Sequence, residues 1–371
     1  MPTIPADRDE IFYQLALSRV ESVGVRSTRK LINHFGSAKD VFHLGARDLL
    51  QVQGMRMPQA QSIRNFGEFE RVEKELKFAE KNGIRVLSFQ DSDYPKRLTH
   101  CFDAPVVLFK KGNADLNATR MVSVVGTRDI TDYGRKVTRD LIKSFVPYNI
   151  TVVSGLARGV DVEAHSACLE FNLPTIAVLG HGLDRVYPAG NTTEAKRIAK
   201  EGALLTEFFT GTLPDRENFP KRNRIVAGMT DATIVIESGF SGGSIITADL
   251  ANSYNRDVFA IPGGIFDERS SGCNRLIKTN RAALLESVKD LENIMGWKAR
   301  EEPKHVQRKI FVELNSEEEK LVNLLNANGK QQIDEISLQL QMPMSTVMVH
   351  LLNLEMNGLV KALPGKVYEL A

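Results

Sequence analysis

Eight apolar segments of β type recur through the middle of the chain: IRVLSF, VVLFKKG, MVSVVG, ITVVSG, TIAVLG, ALLTEF, ATIVIES and VFAIPGG. From about residue 82 onward they alternate with amphipathic stretches. Near-continuous Val/Ile/Leu runs suit strands buried on both faces, and their alternation with helix-period segments argues for helices covering a parallel sheet. The pattern predicts an α/β, Rossmann-like, doubly wound parallel sheet core over residues 82–297.

At 371 residues the chain exceeds one ordinary domain. Residues 1–75 read as a helical domain of helix-hairpin-helix or sterile-alpha-motif-like type. It has two Gly-punctuated segments, VESVGVRSTRKLINHFG (20–36) and LQVQGMRMPQAQSI (50–63). Such hairpins either present helix-start N–H groups to a phosphate or serve only as a packing module; Met57 and Pro58 stand where a phosphate loop prefers small residues. The charged, Pro303-containing stretch 298–314 predicts a linker.

Residues 315–371 order as a winged helix-turn-helix, starting at a capping box of Ser316 and Glu319. Such a module usually reads duplex DNA through its second helix. Here that helix, 345–356, holds no Lys or Arg, and the module has four Lys/Arg against seven Asp/Glu. Protein interaction or self-association is the expectation.

No uncharged apolar run reaches the roughly 20 residues that span a bilayer, and the start MPTIPADRDE has no leader pattern. A cytoplasmic protein without membrane contact is expected. Cys101, Cys168 and Cys273 lie far apart without CxxC spacing, which predicts buried thiols rather than disulfides or a zinc site. The net charge of +2 is small, but residues 76–314 carry 33 Lys/Arg against 29 Asp/Glu, so a polyanion site is expected there.

Three strand ends within that section are rich in small residues. In VSVVGTRDITDYGRKVTRDLI (122–142), Gly126, Thr127 and Arg128 follow a buried strand and precede a helix, where open α/β sheets bind ligands. Gly126 allows close backbone approach, and Arg128 can fork onto a phosphate; the alternative is a tight turn whose Arg makes a structural ion pair. SGLARGVDVEAH (154–165) and ESGFSGGSIITA (237–248) repeat the theme, the latter with Ser241, Gly242 and Gly243. Such tips form a rim of backbone donors for phosphate or sugar oxygens.

The basic run RENFPKRNRIVAG (216–228) adds Arg216, Lys221, Arg222 and Arg224 beside Phe219. A ring on which bases stack, surrounded by cations that follow the backbone, is the combination single-stranded nucleic acid requires. The cations are otherwise engaged if they pair with Asp215, Glu217 or Asp231. Neither GxGxxG nor GxxxxGK[ST] is present, so no nucleotide cofactor is indicated. Asp161 and His165 lack further ligands at metal spacing, so a helix-capping Asp161 and a hydrogen-bonded His165 are expected, with no catalytic residue and no metal.

The ordered series VVGTR, VSGLARGVDVEAH, TIAVLGHGLDRVYP, LLTEF, FPKRNRIVAG, ESGFSGGSIITA and VFAIPGG closely resembles the signature series of the DprA/Smf family. The likeness spans the whole Rossmann-like section, and the helical front and winged tail agree with it. It implies a dimeric, non-enzymatic protein that binds single-stranded DNA, protects incoming strands in natural transformation and loads the RecA recombinase onto them. It places Gly126 and Arg128 at the DNA pocket with Phe219, Lys221, Arg222 and Arg224 around it; Arg216, outside the matched letters, is expected as an additional contact. The family's usual GSR reads GTR here, keeping a hydroxyl at Thr127.

Two other readings compete. A nucleotide phosphoribohydrolase shares the topology and a PGGxGTxxE signature, but aligning Gly243–Ser244 with its GT sets Thr247 where the catalytic Glu belongs. A winged-helix regulator would bind a defined duplex site independently of Arg128 and Phe219.

Overall fold

The computed structural model describes residues 8–299 and 314–370. The chain divides into two compact units, Met1–Glu301 and Glu302–Ala371. Most of the linker expected at 298–314 lies outside the described residues.

The larger unit is built on a nine-stranded sheet: β1 (Arg85–Ser88), β2 (Val107–Gly112), β3 (Met121–Val125), β4 (Thr151–Ser154), β5 (Thr175–Val178), β6 (Ala203–Thr206), β7 (Ala232–Val235), β8 (Asp257–Ala260) and β9 (Ala283–Leu284). Their spatial order is β1-β2-β6-β5-β4-β3-β7-β8-β9. From β6 through β9 every neighbouring pair is parallel. The chain winds outward from β3 through β4, β5 and β6, then returns to β7 on the other side of β3. That reversal puts the topological switch point between β3 and β7.

The near-continuous apolar runs follow from this architecture. Alternate residues of a strand face opposite ways. In β3, Val122 and Val124 enter one core, with Leu141 and Ile142 of helix Asp132–Ser144 and Ala164 and Ala167 of helix Val160–Glu170. Met121 and Val125 enter the other, with Ile225 and Val226 of helix Asn218–Gly228 and Ala248 and Ala251 of helix Gly243–Ser253. The buried Ser123 hydroxyl donates to Thr233 Oγ1 across the β3–β7 pair at 2.7 Å, so it is not left unsatisfied.

The first two runs differ from the expected parallel arrangement. β1 is antiparallel to β2, and β2 to β6. Parallel pairing needs a crossover, usually helical; the only helix between β1 and β2 is the four-residue Lys96–Thr99. The helices of residues 8–81 lie against this antiparallel edge, and Leu15, Leu31, Ile32 and Leu76 share one apolar core with Val107, Phe109 and Phe209. Gln59 of the second hairpin donates to the Ser22 carbonyl of the first at 2.9 Å, tying the two together.

The smaller unit is a winged helix: helices Ser316–Asn328, Ile333–Leu340 and Met344–Met356 beside a three-stranded sheet, β10 (Gln331–Gln332), β11 (Val360–Leu363) and β12 (Val367–Leu370). Its capping box sits one residue earlier than expected. Asn315 Oδ1 accepts from Glu318 N at 2.8 Å, and Glu318 Oε2 accepts from Asn315 N at 3.1 Å, leaving Ser316 as the first helical residue. The amide is as good a cap as the hydroxyl, and here the carboxylate three residues on belongs to Glu318. The helix Met344–Met356 exposes Met348, Val349, Leu352 and Met356 to solvent where a duplex reader would carry cations.

Candidate nucleic-acid interface

The tips of β3 and β7 are clamped side by side. Thr127 N donates to the Glu237 carbonyl at 2.7 Å, and the Thr127 carbonyl accepts from Val160 N at 3.1 Å. A side chain at Gly126 would run into Val160 and stand 3.0 Å from the Glu237 carbonyl. Glycine there answers to helix–strand packing, a reason distinct from the close ligand approach expected of it. Buried Glu237 accepts from Thr131 N at 3.0 Å, while Thr131 Oγ1 accepts from Gly134 N at 3.0 Å and caps helix Asp132–Ser144. The turn between strand and helix is thus held by hydrogen bonds, and Arg128 projects from it toward solvent.

Between the tips lies a hollow of about 400 Å³. Gly126, Thr127 and Arg128 line one wall, Ser241, Gly242 and Gly243 another, and Phe219 and Arg222 a third. Gly242 is the N-cap of helix Gly243–Ser253, whose positive end therefore borders the hollow. Nothing lies within 4 Å of a side chain placed at Gly243. The Arg128 guanidinium stands 5.1 Å from the centroid of the Phe219 ring, and Tyr187 lies 6.1 Å from that ring, tilted by 37°. Arg128, Arg158, His181, Tyr187, Phe219 and Arg222 border a smaller adjoining cavity.

Arg222 forms a floor rather than an exposed fork. It is 4% exposed, and its Nη1 donates to the Val178 carbonyl at 2.7 Å. Burial lowers its pKa, with Asp161 opposing. Asp161 accepts from the N–H groups of Gly155 at 3.2 Å and Ala157 at 3.4 Å, so it ties down the β4 tip; the N-cap of its helix is Gly159, not Asp161 as expected. Burial raises the Asp161 carboxyl against the pull of Arg222 and these donors. A side chain at Gly155 would occupy the Arg222 guanidinium position.

The remaining members of the basic run point elsewhere. Arg224 is engaged by Glu207 and by the Asp103 carbonyl. Burial raises the Glu207 carboxyl, with Arg224 pulling the other way. Lys221 borders a different hollow, with Arg19 and Glu207, where the front helices meet the sheet. Arg216 is exposed in the turn before the helix and lines neither hollow. On a helix, 219, 222, 223 and 226 share a face while 221 and 224 share another. Residues 219, 222, 223 and 226 all line the main hollow, so a helical reading of FPKRNRIVAG separates the two sets. Arg158 of SGLARGVDVEAH and Tyr187 of TIAVLGHGLDRVYP also border the site, beyond the residues expected there.

His165 is fully buried, its Nδ1 2.7 Å from Thr175 Oγ1, and Thr175 in turn donates to the Val152 carbonyl at 3.0 Å. The imidazole therefore donates from Nδ1, and burial pushes its pKa down to about 3. All three cysteines are buried.

A family model described as DNA recombination-mediator protein A matches residues 85–296. The chain belongs to the DprA/Smf family. A DprA winged helix domain model matches residues 312–366, in register with the smaller unit. Among DprA/Smf relatives, Protein Smf of Synechocystis sp. is 37% identical over 281 residues, covering 74% of this chain and 70% of that protein. The X-ray structure of DprA from Streptococcus pneumoniae has a TM-score of 0.66 at 33% identity, covering 78% of this chain and 98% of that one. A structure describing the single-stranded DNA binding mode of Helicobacter pylori DprA has a TM-score of 0.53 at 27% identity, covering 58% of this chain and 97% of that one. DprA membership and the helical, Rossmann-like and winged-helix architecture thus agree. No helix among the described residues is long and apolar enough to cross a membrane.

Proposed function

We propose that this chain binds single-stranded DNA in the hollow between the tips of β3 and β7 and delivers it to RecA, as a cytoplasmic homodimer that catalyses no reaction. The observation that carries the reading is the Arg128 guanidinium over the Phe219 ring, beside glycine-rich strand ends and a helix start. A base stacked on Phe219 places its phosphates within reach of Arg128 and the N-terminal end of helix Gly243–Ser253. The Helicobacter pylori relative's single-stranded DNA binding supports the same ligand class.

The hollow is ill suited to glycosidic hydrolysis. Its carboxylate among the lining residues is Asp161, 7% exposed and held by backbone donors. Thr247 lines the wall where the phosphoribohydrolase signature would set Glu, and its hydroxyl donates to the Gly243 carbonyl at 3.0 Å.

Fluorescence anisotropy with oligo-dT and the matching duplex tests the binding. The single strand should bind more tightly, with steep salt dependence from counterion release. Preference for a defined duplex site, untouched by Arg128→Ala, would overturn the reading. For the handover, the protein should speed RecA filament assembly on strands coated with single-strand-binding protein, and no acceleration would remove that part.

A further inference from the structure

Arg128 also borders a second hollow, of about 480 Å³, whose walls hold Arg135, Arg158 and Arg269. The four guanidinium groups come from separate pieces of chain. Arg128 stands at the β3 tip, Arg135 in the first turn of helix Asp132–Ser144, Arg158 at the β4 tip, and Arg269 just before helix Ser271–Lys278. Among the lining residues the only carboxylate is Asp129. Arg135 has a partner in Glu163 at 3.5 Å; Arg128, Arg158 and Arg269 make no ion pair with any described residue. Like charges gathered around one hollow repel, and an anion there relieves the repulsion.

Two features choose the anion. No aromatic ring lines this hollow, so it offers guanidinium forks for phosphate and no platform for a base. Arg128 is a wall of both hollows, so a strand leaving the Phe219 site meets the second one next. We propose that the arginine-walled hollow is a second station on the DNA path, holding internal phosphates of the strand adjoining the nucleotide at Phe219. This rests on the single-strand reading of the first hollow.

Arg135 and Arg269 line the second hollow and not the first, which makes them the discriminating pair. After Arg135→Ala, Glu163 keeps Arg139 at 3.4 Å, so the fold retains that ion pair. The experiment measures anisotropy of the full chain and its Arg135→Ala/Arg269→Ala variant over a salt series. It uses a short oligo-dT of about four nucleotides and a long one of about sixteen. For the long strand, the slope of log K against log salt should fall by about 1.4 in the variant, or about 0.7 for each phosphate left unneutralised. The short strand should bind both proteins alike.

An unchanged slope for the long strand overturns the second station. Should the double variant melt early, Arg269→Gln alone is read the same way, with half the change expected. Removing a 5′-phosphate from the long strand should change nothing; a loss matching the variant's would instead make the hollow a terminal-phosphate pocket and overturn the proposal. If the unaltered protein binds neither strand, the reading of the first hollow fails, an outcome distinct from normal binding with an unaltered slope.

Discussion

The Arg128 guanidinium stands 5.1 Å from the centroid of the Phe219 ring, joining the tip of β3 to the start of helix Asn218–Gly228. A cation over an aromatic face contributes about 0.5–1 kcal/mol at an exposed site. A base stacking on the same ring gains about 1–3 kcal/mol and brings its own phosphate to the guanidinium. On the proposed reading, the pairing is weak enough for a stacked base to displace.

Phe219→Ala should weaken oligo-dT binding by about 1–3 kcal/mol and leave its salt dependence unaltered, because the ring stacks and carries no charge. Arg128→Ala should weaken binding and also flatten the salt dependence, by about 0.7 in slope for each phosphate the protein no longer neutralises. Titrations at several salt concentrations separate the two. The same salt response from both variants would contradict this division of roles.

Arg224 should matter to folding and little to binding. With Arg224 removed, the mostly buried Glu207 carboxylate loses its ion-pair partner, and breaking such a pair costs about 3–5 kcal/mol. Urea denaturation of Arg224→Met should show a loss of that order, with much of it recovered in Arg224→Met/Glu207→Leu. Unchanged stability together with lost DNA affinity would return Arg224 to the binding surface.

Gly155→Ala tests the floor of the site. The added methyl takes the space of the Arg222 guanidinium, which must then shift from its hydrogen bond to Val178. Overpacking of this kind costs about 1–3 kcal/mol. Thermal denaturation should show the loss, and Gly243→Ala, whose methyl meets open space, should show much less. Equal melting temperatures for the two variants would refute the packing account.

His165 should make stability fall in acid. Its folded pKa, about 3, lies below the unfolded value of 6.5, so the unfolded chain takes up the proton first. Its contribution is complete above pH 6.5 and declines as pH drops toward 3, by about 1.4 kcal/mol per pH unit. The raised carboxyls of Asp161 and Glu207 act in the opposite direction, so the comparison must be with a variant lacking only the imidazole. His165→Asn can still reach Thr175, and its denaturation free energy should depend less steeply on pH between 6.5 and 5. Parallel pH profiles would dismiss the buried imidazole as the cause.

Much of this architecture can be read along the chain because its causes are local. Val122 and Val124 serve one core and Met121 and Val125 the other, so β3 shows an apolar run, interrupted only by the hydrogen-bonded Ser123, that ends in Gly126. Such runs announce strands covered on both faces, and a glycine at the end of most of them marks where the chain turns. The antiparallel setting of β1 and β2 is not written in their composition, since an apolar strand reads alike in either direction. The ordered motifs carried the family likeness, which matching models and relatives then established.

Which cations stand ready for a polyanion was decided only by the folded chain. Arg222 and Arg224 are two letters apart in a basic run, yet one lies against Gly155 beneath the hollow and the other reaches Glu207 and Asp103. Arg135, Arg158 and Arg269, distant in sequence, meet Arg128 around a common space. Local preference and apolar patterning act through neighbouring residues, so the order of side chains suffices to set strands and turns. Whether a charge is paired, buried or open to a ligand depends on groups brought from remote parts of the chain, and only their convergence in space determines it.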